Sequence, residues 1–177
     1  MDSRKKFIAW LFDKSQRIYV RHFKKKKQPW GITVSQLLEM EANTFGNHLG
    51  VFLKGNGFAL LPKVERHDAY HVLTGFGTKV EDEIALQFMC FGNGKRSPYL
   101  LGVLILGTLI LPEYLPFYMK AYGLGKRSHS FHHFDYKKVL TVNYNEFRDA
   151  LFTDIIQSDL AYLQATDPKR IFQIKTT

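Results

Sequence analysis

The sequence predicts an all-α fold in a single helical domain, and three observations lead to this class. Strand-like alternation of apolar and polar residues is sparse, whereas several segments space their apolar residues as helices do. Apolar residues make up 45% of the 177 positions and aromatic residues 15%, enough for one sizeable core. The single cysteine, Cys90, excludes an internal disulfide and lies in an apolar run typical of a core. We expect a basic arm over residues 1–28 and one helical domain over residues 29–177.

At the N-terminus, residues 4–23 can form an amphipathic helix with Phe7, Ile8 and Leu11 on its apolar side. Residues 1–27 hold ten Lys and Arg but two Asp, whereas the remaining 150 residues carry a net charge of +1. This concentrated charge favours attraction to an anionic membrane, at about 1 kcal/mol per basic residue near the lipid. A solvated tail is the alternative, and nucleic acid is disfavoured because no recognised binding motif accompanies the charge. The residues expected at the membrane surface are Lys24, Lys25, Lys26 and Lys27.

The next helical signals precede the centre of the chain. Thr33 with Gln36 predicts a capping box that opens a helix over residues 33–45. Gly46 should end this helix, and residues 47–57 should form a loop or a short helix.

Side-chain types that bind metals are concentrated in the segment from Arg66 to Glu83. His67 and His71 are four residues apart, so they stack on one face of a helix, and Asp68 lies beside that face. Packed or solvent-facing histidines are the alternative, but that interpretation leaves the shared patch of two histidines and an aspartate unexplained.

A glycine turn is expected to bring Glu83 back to the histidines, because on one straight helix it would lie roughly 18 Å beyond them. The two glycines in residues 75–77 suit a helix C-cap and a tight turn. Thr78 with Glu81 is typical of a capping box, so the second helix should begin near Lys79 and run antiparallel to the first.

Residues 100–111 form the most apolar stretch, closed by Pro112. A helix that spans a bilayer needs about 20 residues, so we expect a fully buried, central helix. Gly102 and Gly107 would permit close helix packing or leave room for a ligand. The apolar residues 7–12 are too few for a secretory signal, and no small-residue cleavage site follows them. We therefore expect a cytoplasmic protein, peripheral at the inner membrane face.

The last third of the chain contains two further predicted helices. Residues 112–116 indicate a bend into a helix that ends at Gly123 or Gly125, and residues 145–165 should form a last amphipathic helix. Between them, KRSHSFHH (residues 126–133) clusters two basic residues and three histidines. A polar mouth for an acidic head group and a second metal site are alternatives to an exposed loop, which is the simplest interpretation.

The pattern His-Asp-x-x-His, eleven residues and then Glu resembles the motif of the coenzyme Q (ubiquinone) biosynthesis protein four family. His67, Asp68, His71 and Glu83 match that motif at every specified position and spacing. The flanking HVLTG and EIALQF sequences also resemble the family, and the resemblance is weaker downstream. A four-residue pattern at fixed spacing is a fairly specific signal.

The resemblance implies a divalent metal held by these four side chains and an apolar tunnel for a prenyl-tailed lipid. Zinc is the expected metal, with iron, manganese or cobalt as alternatives, because two nitrogen and two oxygen ligands suit all of them. The implied reaction removes the ring carboxyl at C1 of a polyprenylated hydroxybenzoate, coupled to hydroxylation there, as a decarboxylating lyase would. Implied partners are a prenylated lipid or quinone precursor, the membrane surface, a second copy of the chain and other quinone-biosynthesis proteins. The expected lipid-binding residues are Leu100, Val103, Leu104 and Gly107.

Two other functions fit parts of the pattern. A non-catalytic carrier or scaffold would present prenylated intermediates from the same tunnel. A metal-dependent phosphohydrolase also uses an adjacent His-Asp pair, but it leaves the eleven-residue gap to the glutamate unexplained. Its further ligands would be His48 or His22 and Asp135 or Asp154.

Overall fold

A computed structural model describes residues 3–11, 14 and 28–171 of the chain. The predicted all-α, single-domain fold is confirmed, and the described residues contain no β-strand beyond one isolated bridge between Thr44 and Asn143. The helices are α1 (residues 3–11), α2 (Val34–Leu38), α3 (Phe45–Asn56), α4 (Glu65–Thr74), α5 (Val80–Gly92), α6 (Pro98–Ile110), α7 (Leu115–Arg127), α8 (Tyr144–Leu151) and α9 (Asp154–Ala165).

The centre of the domain is the packed pair α5 and α7. Two glycines let their backbones approach closely, because a methyl group at Gly125 would collide with the carbonyl oxygen of Met89. A methyl group at Gly92 would likewise meet the carbonyl oxygen of Tyr122. Helix α7 therefore continues through the glycines at 123 and 125, where we expected its end, because the second of them packs against α5 rather than forming a cap.

Helix α6 is less buried than its composition predicts, so the expectation of a fully buried, central helix is wrong. Leu101, Ile105 and Leu109 are 43%, 59% and 72% exposed, because only the opposite face of α6 packs against the core. The buried face includes Leu104 and Gly107, and Gly107 lies against the side chain of Ile84 on α5. The glycine thus serves a close helix contact.

No single described helix has both the length and the apolar character to cross a membrane. Helix α6 passes such a test of length and composition only together with the segment Pro112–Arg127, and the two are bent by 105° relative to each other.

The predicted helix over residues 33–45 is two elements. The capping box of Thr33 and Gln36 is confirmed, but α2 ends at Leu38. Thr44 then caps α3 by accepting from the backbone of Asn47, and Gly46 lies inside α3 instead of ending a helix. The reason is tertiary, because the Gly46 N–H donates to the carbonyl of Leu140 across the domain.

The predicted helix over residues 145–165 also divides into two, α8 and α9. Phe152 has an extended backbone, and Thr153 caps α9 by accepting from the backbone of Ile156. The predicted end of the helical region at residue 165 is confirmed, since α9 ends at Ala165.

Helix α1 is attached to the domain by two ion pairs. The guanidinium of Arg4 lies 2.7 Å from Glu113, and the ammonium of Lys5 lies 2.8 Å from the nearly buried Glu81. Ile8 is buried against the core, whereas Phe7, predicted to share its apolar side, is half exposed. The four lysines predicted at the membrane surface lie outside the described residues.

Candidate metal centre

The candidate centre is built from α4, the connection over residues 75–79 and the first turn of α5. Gly75 ends α4 in the left-handed region with φ of 76°, a conformation that glycine adopts without strain. Its N–H donates to the carbonyl of His71. A side chain at this position would also collide with Gln164, whose amide donates to the carbonyl of Thr74. The predicted glycine turn is therefore present, and the left-handed backbone at residue 75 is what favours glycine there.

The predicted start of α5 is correct to one residue, but its predicted cap is not. Helix α5 begins at Val80, and Lys79 is the N-cap with no side-chain hydrogen bond, so Thr78 and Glu81 do not form a capping box. Glu81 instead pairs with Lys5 of α1. The tertiary ion pair uses the carboxylate that a capping box would require.

Three of the four predicted ligands come together. Ligand atoms of His67, His71 and Glu83 all lie within 4.8 Å of one another. The two carboxylate oxygens of Glu83 lie 2.9 Å from Nε2 of His67 and 3.1 Å from Nε2 of His71. The two Nε2 atoms are 3.2 Å apart. A His/His/Glu group that could hold a metal ion is thus present, with room on the ion for further ligands.

Neighbouring groups orient both imidazoles. Nδ1 of His71 donates to the carbonyl of Phe76 at 3.0 Å, which orients the ring so that Nε2 faces Glu83. The side-chain amide nitrogen of Gln87 lies 3.3 Å from Nδ1 of His67, to which it can donate. Each ring therefore presents Nε2 to the centre and is held at its far nitrogen.

Burial and mutual contact give the three groups different pKa values. Burial outweighs the nearby carboxylate at His67 and lowers its pKa below the ordinary value. Burial also acts to lower the pKa of His71, but Glu83 and the Phe76 carbonyl outweigh it, so the pKa is raised. At Glu83 burial acts to raise the pKa, but the two imidazoles hold it well below its usual range. The carboxylate is ionised at neutral pH, and of the two imidazoles His71 is the one whose pKa is shifted toward the protonated form.

Asp68 does not belong to the three-residue group. Its carboxylate lies near enough to raise the pKa of His71, and it lines the cavity beside His67 and Glu83. None of the other described ligand candidates, His48, Asp135 and Asp154, joins the group either, and His22 lies outside the described residues. His48 stacks on Tyr144 instead, at 3.9 Å between ring centroids.

The centre lies at the wall of a cavity of about 1020 Å³. Of the four predicted lipid-binding residues, Leu100 and Val103 line this cavity, whereas Leu104 and Gly107 are buried without lining it. His71 instead lines a second, smaller cavity of about 430 Å³, and Thr78 lines both cavities. Further apolar and aromatic residues of the large cavity are Ala9, Phe58, Leu61, Val80 and Tyr99.

Two residues of the centre were missed from the sequence. Gln87 is four residues after Glu83 on α5, so the helical spacing could have placed both on one face. Phe52 of α3 stacks on His71 with ring centroids 5.5 Å apart, and no sequence signal links them. The predicted core position of Cys90 is confirmed, and burial raises the pKa of its thiol to about 11, which makes it a poor nucleophile.

The fold and this site define an all-α protein with a His/His/Glu group on a helical hairpin, at the wall of a large, partly apolar cavity. The sequence profile of the family described as coenzyme Q (ubiquinone) biosynthesis protein Coq4 matches residues 58–156, more than half of the chain. The chain therefore belongs to this family, as the motif resemblance predicted. No curated protein sequence matches the chain.

Proposed function

We propose that the protein binds a divalent metal and a prenylated aromatic carboxylate, and that it removes the ring carboxyl during ubiquinone biosynthesis. The observation that supports this proposal is that two members of the His67, His71 and Glu83 group, His67 and Glu83, line a cavity of about 1020 Å³ that also has an apolar part. Family membership supports the place in ubiquinone biosynthesis.

The donor set fits the metal. Two imidazole nitrogens and one carboxylate suit zinc first, and also iron, manganese or cobalt, and they leave coordination positions for a ligand. A bound metal would supply Lewis acidity toward a carboxylate or phenolate oxygen of the substrate. Asp68 is the further predicted ligand, and its charge next to the group favours a cation in either case.

The chain's own residues would bind and orient the substrate. Phe58, Leu61, Leu100 and Val103 offer apolar surface to an isoprenoid tail, while the ring and its carboxyl would point toward Glu83. In the reaction the bond between C1 and the carboxyl breaks and CO₂ leaves. Dioxygen supplies the hydroxyl oxygen at C1, and a two-electron donor reduces its other atom to water.

Turnover tests this proposal directly. The purified chain, loaded with zinc or iron and given a prenylated hydroxybenzoate under oxygen with a reductant, should release CO₂ from a carboxyl-labelled substrate. Glu83→Gln should abolish release, and Glu39→Gln, an exposed acid at the end of α2, should leave it unchanged. Substrate that binds without release of CO₂ would contradict the enzymatic proposal and favour a carrier.

We also propose that the cavity faces an anionic membrane. The exposed apolar face of α6 lies beside α1, because Arg4 donates to the carbonyl of Ile110 and Ala9 shares the cavity with Val103. Trp10 on α1 is 55% exposed, and the adjoining N-terminal sequence is strongly basic. Apolar side chains flanked by positive charge match an anionic lipid surface.

Co-sedimentation with vesicles tests this contact. Binding should require phosphatidylglycerol and should weaken in Ile105→Ser, which removes an exposed apolar group of α6. Val51→Ser, which replaces an equally exposed residue of α3, is the matched control. A stable dimer that hides α6 and excludes vesicles would contradict the proposal.

A further inference from the structure

A basic region lies in the same cavity as the candidate metal centre. Its side chains come from three separate parts of the chain: the start of α4, the α5–α6 connection and the loop after α7. The basic and imidazole side chains that line the cavity outside the centre are Arg66, Lys95, Arg96, His132 and His133.

Two cations of this region are partly buried and lack a carboxylate partner in the part of the chain that the structure describes. Arg66 and Lys95 are both half-buried, and within residues 3–11, 14 and 28–171 no acid lies at ion-pair distance from either. Arg66 makes a 3.4 Å contact with the carbonyl of His132, and the ammonium of Lys95 lies 4.9 Å from the centre of the Tyr70 ring. Half-buried cations without a counter-charge leave a place for an anion.

The loop beside these cations is held in place. The side-chain oxygen of Asn93 accepts from the backbone N–H groups of Phe131 at 2.8 Å and His132 at 3.1 Å. The Asn93 amide donates to two further carbonyls, and the hydroxyl of Tyr70 donates to the carbonyl of His132 at 2.9 Å. His132 therefore stays beside Arg66 and Lys95 rather than moving with a free loop.

The charges of this region also reach one another and the centre. Burial lowers the pKa of His132, and the neighbouring Lys95 and Arg66 lower it further. Lys95 lines the same cavity as His67 and Glu83 of the metal centre. An anion bound by these cations would be adjacent to the metal ligands.

We propose that Arg66 and Lys95, with His132 beside them, form a subsite for an oxyanion of the ligand, either a carboxylate or a phosphate. The subsite makes the cavity select amphiphiles with an anionic head group, and it does so without the metal. This inference rests on the cavity of the proposed function and adds the residues that would hold the anionic group of the ligand. A planar guanidinium can hold two oxygens of such a group, and the ammonium contributes a point charge.

Three probes with the same tail test the subsite: para-decylbenzoate, decyl phosphate and decanol. Calorimetric titration of the metal-free full chain should show at least about tenfold tighter binding of one anion than of decanol, which corresponds to about 1.4 kcal/mol. The preferred anion distinguishes carboxylate from phosphate. In Lys95→Met this ratio should fall toward one while the affinity for decanol stays unchanged, and Arg66→Met should behave alike.

Lys126→Met is the matched control, because Lys126 is exposed on α7 and does not line the cavity. It should keep the wild-type ratio. An unchanged ratio in a folded Lys95→Met variant would overturn the subsite while leaving the metal centre and the cavity intact. Failure of all three probes to bind would overturn the cavity, and with it the proposed function. Retention of metal by the variants, measured separately, reports on the centre alone.

Discussion

The α4–α5 hairpin and helix α6 border the same cavity but are organised differently. In the hairpin nearly every polar atom near the centre has a named partner, such as the Phe76 carbonyl for His71 and the Gln87 amide for His67. Helix α6 is almost entirely apolar, yet one of its faces packs and the other is open, with Leu109 72% exposed. Local spacing determines the first region, whereas the second depends on which neighbours happen to cover it.

The largest effect expected from this comparison is at Glu83. Glu83→Gln removes the carboxylate that contacts both imidazoles and should weaken zinc binding by more than about 100-fold. This loss exceeds that expected for a residue that only hydrogen-bonds to a metal ligand. Competition titration with a chelating dye measures the affinity. Glu39→Gln is the control. An unchanged zinc affinity in Glu83→Gln would show that the hairpin does not bind the metal.

The two faces of α6 should respond differently to truncation. Leu104→Ala, on the packed face, should lower the free energy of unfolding by about 2–3 kcal/mol, because it leaves a cavity against the core. Leu109→Ala, on the open face, should change it by less than about 0.5 kcal/mol. Urea titration followed by circular dichroism compares them, and equal losses would show that a partner covers the open face.

A variant of Asp68 tests whether this residue binds the metal directly or only lies beside its ligands. Asp68→Asn should weaken zinc binding by about tenfold, because it removes a nearby negative charge but none of the three clustered ligands. The same dye titration measures it alongside Glu83→Gln. A loss equal to that of Glu83→Gln would make Asp68 a direct ligand, as the sequence motif implies.

Acid should weaken metal binding through His71. Its raised pKa means that a proton occupies the centre at pH values where an ordinary histidine is neutral. A metal must displace that proton, so affinity should fall as pH is lowered, by at most about tenfold per pH unit for one proton. Glu83, whose pKa is lowered, stays ionised and adds no pH dependence near neutrality. The ordinary pKa of histidine is about 6.5, so the fall should be visible between about pH 8 and pH 6. A metal affinity that stays constant over this range would contradict the role of His71.

The hairpin shows how far sequence reasoning reaches. The helical spacing of His67 and His71 and the left-handed glycine at residue 75 predict the first helix and its end. The return of Glu83 follows from the turn. Partners such as Phe52 could not be predicted, because they depend on how α3 packs against α4.

The open face of α6 and the proposed basic subsite show what sequence reasoning could not predict. Composition alone predicted burial for residues 100–111, but burial depends on neighbours, and only one side of α6 has them. Arg66 and Lys95 are 29 positions apart in the chain, and each was unremarkable alone. The predicted polar mouth at residues 126–133 was one of three alternatives, and His132 and His133 do line the cavity.

The attachment of α1 has a practical consequence for anyone preparing a shortened form of this protein. Ala9 is part of the cavity wall, and Lys5 is the counter-ion of Glu81, whose second carboxylate oxygen has no hydrogen-bond partner among the described residues. A shortened form that starts at residue 29 would still contain helices α2 to α9. It would lack Ala9 and Lys5, so the apolar part of the cavity would be more open to solvent and Glu81 would lose its ion pair. Binding constants measured on it would therefore describe an altered cavity.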